Sequence, residues 1–201
     1  MSLPMTLDQM IVPMTSDHLP QVMAIDAQCY PIPWSRDVYE AELARPADRL
    51  YVIARPGQLV GDANATGFCP GQLVGDANAA GFCPGQLVGH AGVAFEENEA
   101  HITTVTVSPD CRGQGIGARL FLALALAACR RNTSLALKVA ADNPAAQALY
   151  RRFGLAPVGI QRGYYKNMGL SPDAVVMRAD NIQQPDYADR LIKIAVELDC
   201  A

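Results

Sequence analysis

The stretch Val107-Ser108-Pro109-Asp110-Cys111-Arg112-Gly113-Gln114-Gly115-Ile116-Gly117 decides how this chain is read. Residues 101–107 before it are rich in Thr and Val, the composition of a strand, and residues 117–131 after it are strongly apolar, as in a buried helix. The glycines therefore occupy a strand-to-helix turn. Backbone N–H groups at a helix N-terminus lack intrahelical partners and carry partial positive charge, and glycine lets the chain curl around an anion without a Cβ in the way. That combination suits a phosphate. A P-loop would need a lysine followed by serine or threonine after its second glycine, and none stands here. A dinucleotide fingerprint needs GxGxxG, whereas Gly113, Gly115 and Gly117 are spaced GxGxG, and the next strand carries Lys138 where an acidic ribose partner would fall. Taken alone, the turn is compatible with either a phosphate cradle or a purely structural bend.

Working outward, the coarse pattern alternates strands and helices. Residues 10–13 read as a short strand, and Ser16 and Asp17 offer caps for a helix over 19–30. Pro31 and Pro33 break the chain, and Ser35 caps a second helix that ends near Pro46. Strands are expected at 49–55, 86–95, 101–107 and 134–140, the last alternating Leu135, Leu137 and Val139 against Ala136 and Lys138. Asn143-Pro144 is a cap followed by a first-turn proline and opens a helix through Phe153. Two last strands, 158–162 and 174–178, flank a loop, and residues 181–201 form a C-terminal helical extension to a domain over 1–180. The order is that of a mixed α/β domain.

Composition narrows the function. Of 201 residues, 50% are hydrophobic, ample for a core, and 20 acidic against 16 basic side chains give a net charge of −4, which does not suggest a nucleic-acid surface. No apolar run reaches the roughly 18 residues of a membrane span, and the N-terminus lacks a signal-peptide pattern. Cys29, Cys69, Cys83, Cys111, Cys129 and Cys200 form no CxxC pair and no metal spacing. The expectation is a soluble, reduced, cytoplasmic protein without a metal or membrane partner. Its oligomeric state is not legible.

Residues 56–69 (PGQLVGDANATGFC) recur as 70–83, differing only at Thr66 against Ala80, and a third copy begins at Pro84 and then departs. Near-identity over so short a period points to a recent duplication, and the Gly, Pro, Asn and Asp content to a surface loop inserted between two strands.

Five segments, the glycine turn among them, carry a resemblance. Arg112 to Gly117 (R-x-x-G-x-G) resembles the acetyl-CoA pyrophosphate loop of the GNAT N-acetyltransferases, and residues 143–155 (NPAAQALYRRFGL) resemble that superfamily's N-x-x-A-x-x-L-Y-x-x-x-G-F helix. Ile32-Pro33-Trp34-Ser35, Arg162-Gly163-Tyr164-Tyr165 and Asp173-Ala174-Val175-Val176-Met177 resemble segments of the ribosomal-protein-alanine (RimI-type) subfamily. The matches span roughly 8–179 apart from the 56–83 insert. The resemblance implies a mixed, mostly antiparallel sheet with helices on both faces, and transfer of an acetyl group from acetyl-CoA to the α-amine of a protein or peptide N-terminus, a ribosomal protein being one such acceptor.

It also implies roles. The backbone of Val105, Thr106 and Val107 would hold the pantetheine arm, with the Val107 N–H as oxyanion donor. Arg112 and the amides of Gly113, Gln114, Gly115, Ile116, Gly117 and Ala118 would take the pyrophosphate. Asn143 would add a cofactor contact or merely cap its helix. Tyr150 matches the general acid, and Trp34, Tyr164 and Tyr165 flank the acceptor groove. The family's glutamate base, twelve residues before that tyrosine, is replaced here by Lys138. A buried neutral lysine, His101 at the head of the strand ending in Val107, or Glu97 or Glu99 through water could each take its place. Acetylation of a small amine or amino acid drawn to Lys138, and an impaired acetyl-CoA-binding paralogue, stand as alternatives.

Overall fold

Side-chain caps start two of the helices. In the computed structural model, which describes residues 11–55, 86–166 and 173–200, Ser35 takes up the N-cap of its helix, its Oγ accepting from Val38 N at 3.4 Å. Asn143 caps another, its Oδ1 accepting from Ala146 N at 3.0 Å ahead of Pro144. The chain runs β1 (Ile11–Pro13), α1 (Leu19–Cys29), α2 (Arg36–Leu43), β2 (Arg49–Ala54), β3 (Gly89–Phe95), β4 (Glu99–Val107), α3 (Ile116–Cys129), β5 (Ser134–Ala140), α4 (Pro144–Arg152), β6 (Ala156–Gln161), β7 (Ala174–Asp180) and α5 (Pro185–Asp199). Residues 86–88, expected in a strand, lie ahead of β3, and β4 begins two residues earlier than its Thr/Val run suggests. That earlier start comes from pairing: Glu99 and Ala100 sit opposite Ser134 and Leu135 of β5. The duplicated segment 56–83 lies outside the described residues.

The seven strands form one sheet in the order β1-β2-β3-β4-β5-β7-β6, and every pair is antiparallel except β4 with β5. Successive side chains of a strand point to opposite faces, so two cores result. Tyr51 and Ile53 join Leu19, Val22, Ile25 and Tyr39 under α1 and α2. Val52 and Ala54 join the larger cluster around α3, whose Leu120, Phe121, Leu122, Leu124 and Ala125 are fully buried. The Phe121 ring packs 4.7 Å from Phe153 and 5.1 Å from Tyr150. The mixed, mostly antiparallel sheet with helices on both faces is the architecture the resemblance implies.

Helix α5 completes the larger core, burying Tyr187, Leu191, Ile194, Ala195 and Leu198. Its last turn reaches the glycine turn: Leu198 Cδ2 lies 3.5 Å from where a Gly115 Cβ would sit. Arg119, in the first turn of α3, pairs with Asp199 at 3.0 Å and also donates to the Leu198 carbonyl. Among the described residues no helix is long and apolar enough to cross a membrane, and no group of His, Cys, Asp and Glu could hold a metal.

Candidate active site

The site originates in a parting of two strands. Strands β4 and β5 pair from Glu99↔Ser134 to Ile102↔Leu137 and no further. Beyond that point β4 runs on beside β3 alone and β5 beside β7 alone. A cleft of about 750 Å³ opens between them. The antiparallel register alternates which residues bond the neighbouring strand. Because Ser108 N donates to Val88 O at 2.9 Å, the backbone of Thr106 also faces β3, opposite His90. The N–H and C=O groups of Val105 and Val107 therefore point the other way, into the gap that β5 has vacated. The Val107 carbonyl receives the Arg112 Nε at 3.4 Å. Thr106 thus offers the cleft its side chain rather than its backbone.

At one end of the cleft stands the glycine turn. Gly113 (φ 79°) and Gly115 (φ 75°) adopt the left-handed conformation that disfavours side chains. Gly117 has an ordinary φ, and a Cβ there would meet only ordinary contacts at 3.6 and 3.8 Å. Among the described residues, none of the backbone N–H groups from Gly113 to Ala118 donates to a backbone carbonyl, the first helical bond being Arg119 N to Gly115 O. A run of unpaired amides at the N-terminus of a 14-residue helix has the geometry that suits a phosphate. It fits the diphosphate of a coenzyme A, and the free amides of Val105 and Val107 fit an extended amide-bearing arm laid in like a further strand.

A bulge in β4 makes the cleft wall on the side of α1 and α2 polar. Gly92 pairs with Thr104 while Val93 pairs with Ile102, so Thr103 is the extra residue. Thr103 and Thr104 consequently both face α1 and α2, with Thr106. The Tyr51 hydroxyl lies 3.0 Å from Thr103 Oγ1 and donates to Glu42 at 2.9 Å. The Tyr30 hydroxyl lies 3.0 Å from Thr106 Oγ1, which is 3.1 Å from Thr104 Oγ1. Only glycine fits at 92, since a Cβ would overlap the Tyr51 ring. Behind this wall Asp26 is buried between the Tyr39 hydroxyl and His90 Nε2, the latter at 2.8 Å. Neither Tyr30, the hydroxyl wall nor Asp26 stands out in the sequence. The one signal is that Tyr30 directly precedes the Pro31-Ile32-Pro33-Trp34 segment.

Most of the candidates read from the sequence meet here. Trp34, His101, Val105, Thr106, Val107, Arg112, Gly113, Gly115, Ile116, Gly117, Lys138, Asn143, Tyr150, Tyr164 and Tyr165 line the one cleft, while Gln114 and Ala118 do not line it. Asn143 spends its carbonyl oxygen on capping α4, which leaves its amide N–H groups for a ligand. The Tyr150 ring is buried, and its hydroxyl has no hydrogen-bond partner among the described residues. Burial, and then the nearby Tyr30 and Tyr165 phenols, raise its pKa well above the ordinary phenol value. His101 is half-buried, and burial, followed by the Lys138 ammonium, lowers its pKa. Lys138 is the first β5 residue past the parting of the strands. Its Nζ rests 4.5 Å over the Tyr164 ring, and its carbonyl accepts from the Tyr165 hydroxyl at 3.1 Å. Trp34 packs 5.3 Å from Tyr39 and also lines the cleft, so core packing and wall coincide.

Comparison with known proteins agrees with this geometry. Over 82% of its length the chain is 29% identical to the "Putative ribosomal protein bS18-alanine N-acetyltransferase" of Bacillus subtilis, 90% of which is covered. Over 41% of its length it is 42% identical to the N-alpha-acetyltransferase RimI of Mycobacterium tuberculosis, covering 50% of that protein. The crystal structure of the ribosomal-protein-S18-alanine N-acetyltransferase from Escherichia coli superposes with a TM-score of 0.64 at 23% identity, covering 85% of this chain and 92% of that one. The acetyltransferase (GNAT) family matches residues 19–155, a span that holds the diverging strands, the glycine turn and Tyr150. This chain belongs to the GNAT family and is an N-acetyltransferase.

Proposed function

We propose that the protein transfers an acetyl group from acetyl-CoA to the α-amine of a protein or peptide N-terminus, within the cytoplasm. The observation that carries this reading is the set of unpaired backbone N–H groups in the glycine turn and at Val107 and Val105, in the one cleft that Tyr150 also lines. The curated relatives named for N-terminal alanine acetylation support the choice of acceptor. So does a structural neighbour, Arabidopsis thaliana Naa50, solved with a bisubstrate analogue that joins CoA to a short peptide.

The amides of Gly113 to Ala118 hold the diphosphate, aided by Arg112, and the Asn143 side-chain amide is free to add a contact. Val105 and Val107 align the donor's extended arm by main-chain hydrogen bonds. The Val107 N–H is a fixed dipole that can stabilise charge developing on the acyl oxygen without reorganising. Acetyl-CoA supplies an activated acyl group whose C–S bond breaks as the amine nitrogen bonds to the acyl carbon. His101, held unprotonated at neutral pH by burial and by Lys138, accepts the amine proton. An α-amine of pKa about 7.7–8.0 asks little of that base. Tyr150, still protonated at physiological pH, gives its proton to the departing sulfur. Trp34, Tyr164 and Tyr165 wall the acceptor with aromatic surface.

Incubation with acetyl-CoA and a panel of peptides with free N-termini, read by intact-mass spectrometry, tests the proposal. A single acetyl on the peptide α-amine is expected. Acetylation confined to small amines, or cofactor binding without transfer to any amine, would refute it.

A further inference from the structure

The acceptor end of the cleft is cationic, and the charge is held in place. Lys138 stands at the point where β4 and β5 part, which is where an acyl group laid along Val105 and Val107 would end. The face of Tyr164 holds its ammonium 4.5 Å from the ring centroid, and Tyr164 is fixed edge-on against Tyr165, 4.7 Å away. Tyr165 in turn bonds the Lys138 carbonyl, so the two tyrosines clamp this residue from both ends. Among the described residues Lys138 has no ion-pair partner.

Two of the carboxylates around the cleft are otherwise engaged. Asp26 is 2% exposed and lies between Tyr39 and His90. Glu99 is bound to Arg178 at 3.2 Å. Asp142 lines the same cleft beside the Asn143 cap and forms no ion pair with Lys138. An incoming ammonium therefore meets a cation that no carboxylate among the described residues pairs with, a like-charge arrangement that disfavours basic acceptors and favours acidic ones.

We infer that the acceptor is a peptide N-terminus whose first or second residue is aspartate or glutamate, and that Lys138 selects it by pairing with that side-chain carboxylate. This rests on the acceptor reading of the cleft proposed above. The carboxylate supplies the anion that Lys138 lacks and brings the α-amine to the acyl end of the cleft. Acetylation then proceeds as described, with no further reactant.

The test compares peptides identical except for Glu, Gln or Lys at the first or second position, together with free glutamate, each assayed with acetyl-CoA for release of the CoA thiol. The wild-type kcat/KM should favour the Glu peptide over the Lys peptide at least about tenfold. Lys138→Met should collapse that ratio toward one, and Lys138→Glu should invert it, while calorimetric affinity for CoA stays within a few-fold in both variants. The ratio is read within each variant, so a general loss of rate does not imitate selectivity. Equal wild-type rates on the Glu and Lys peptides, or an unaltered ratio in Lys138→Met, would overturn the inference while leaving peptide acetylation standing. Acetylation of free glutamate with all peptides inert, or of nothing at all, would overturn the peptide reading and this inference with it.

Discussion

Replacing Tyr150 with Phe removes a single oxygen and should separate chemistry from structure. The hydroxyl has no hydrogen-bond partner among the described residues, so its loss leaves no buried donor or acceptor stranded. The ring contacts, 5.1 Å from Phe121 and onward to Phe153, survive in the phenylalanine. Folding stability should therefore change by less than about 1 kcal/mol, or roughly 2–4 °C in Tm for a domain of this size. Proton donation to the leaving thiolate is worth about 10²–10⁴-fold, or about 2.7–5.4 kcal/mol of barrier. The burial-raised pKa keeps the phenol protonated below about pH 10, so this loss should be the same across the neutral range. Single-turnover acetylation of a substrate peptide, which isolates chemistry from product release, should fall at least 100-fold as an order of magnitude. Calorimetric acetyl-CoA affinity and the thermal midpoint should hold. A single-turnover rate within about twofold of wild type would remove Tyr150 from the mechanism. A parallel collapse of Tm would instead make its hydroxyl structural.

His101→Ala should flatten the acidic limb of the pH profile of kcat/KM. Lys138→Met, by removing one of the two influences that lower the His101 pKa, should move that limb to higher pH; a limb that stays put would uncouple the two residues. Tyr39→Phe deprives Asp26 Oδ2 of a buried hydrogen bond and should cost about 1–3 kcal/mol in urea titration, whereas a neutral result would mean that water replaces the hydroxyl. Deleting residues 56–83 joins Arg55 to Pro84 close to the Ala54↔Gly89 pair. That variant should melt within a few degrees of the parent and bind acetyl-CoA equally well, since a longer loop costs only about 0.6 kcal/mol per doubling. Loss of folding would show that the repeats are packed structure.

Much of the candidate site is legible in the sequence because its signals are local. The glycine spacing at 113, 115 and 117, the Asn143-Pro144 cap and the motif placing Tyr150 on α4 each depend on a few consecutive residues. Local reading goes astray where one residue has two uses. Gly117 looks equivalent to Gly113 and Gly115, yet its φ is ordinary, and only the other two need glycine for their conformation. Thr106 looks like one more backbone contact beside Val105 and Val107. The parity of β3 pairing turns its main chain away and leaves its hydroxyl to Tyr30.

The sequence by itself determined the succession of strands and helices, the glycine turn between β4 and α3 and the family, because periodicity, capping and glycine conformation act over single turns of chain. Tertiary structure alone decided that β5 lies beside β4 for four residue pairs and then departs, which creates the cleft. It decided that the Thr103 bulge gathers hydroxyls on one face, that α5 folds back to brace the glycine turn, and that Lys138 rests on Tyr164. These arrangements join residues tens of positions apart in sequence. They follow from which surfaces pack together once the sheet closes, a competition among distant partners that no local stretch of the sequence records.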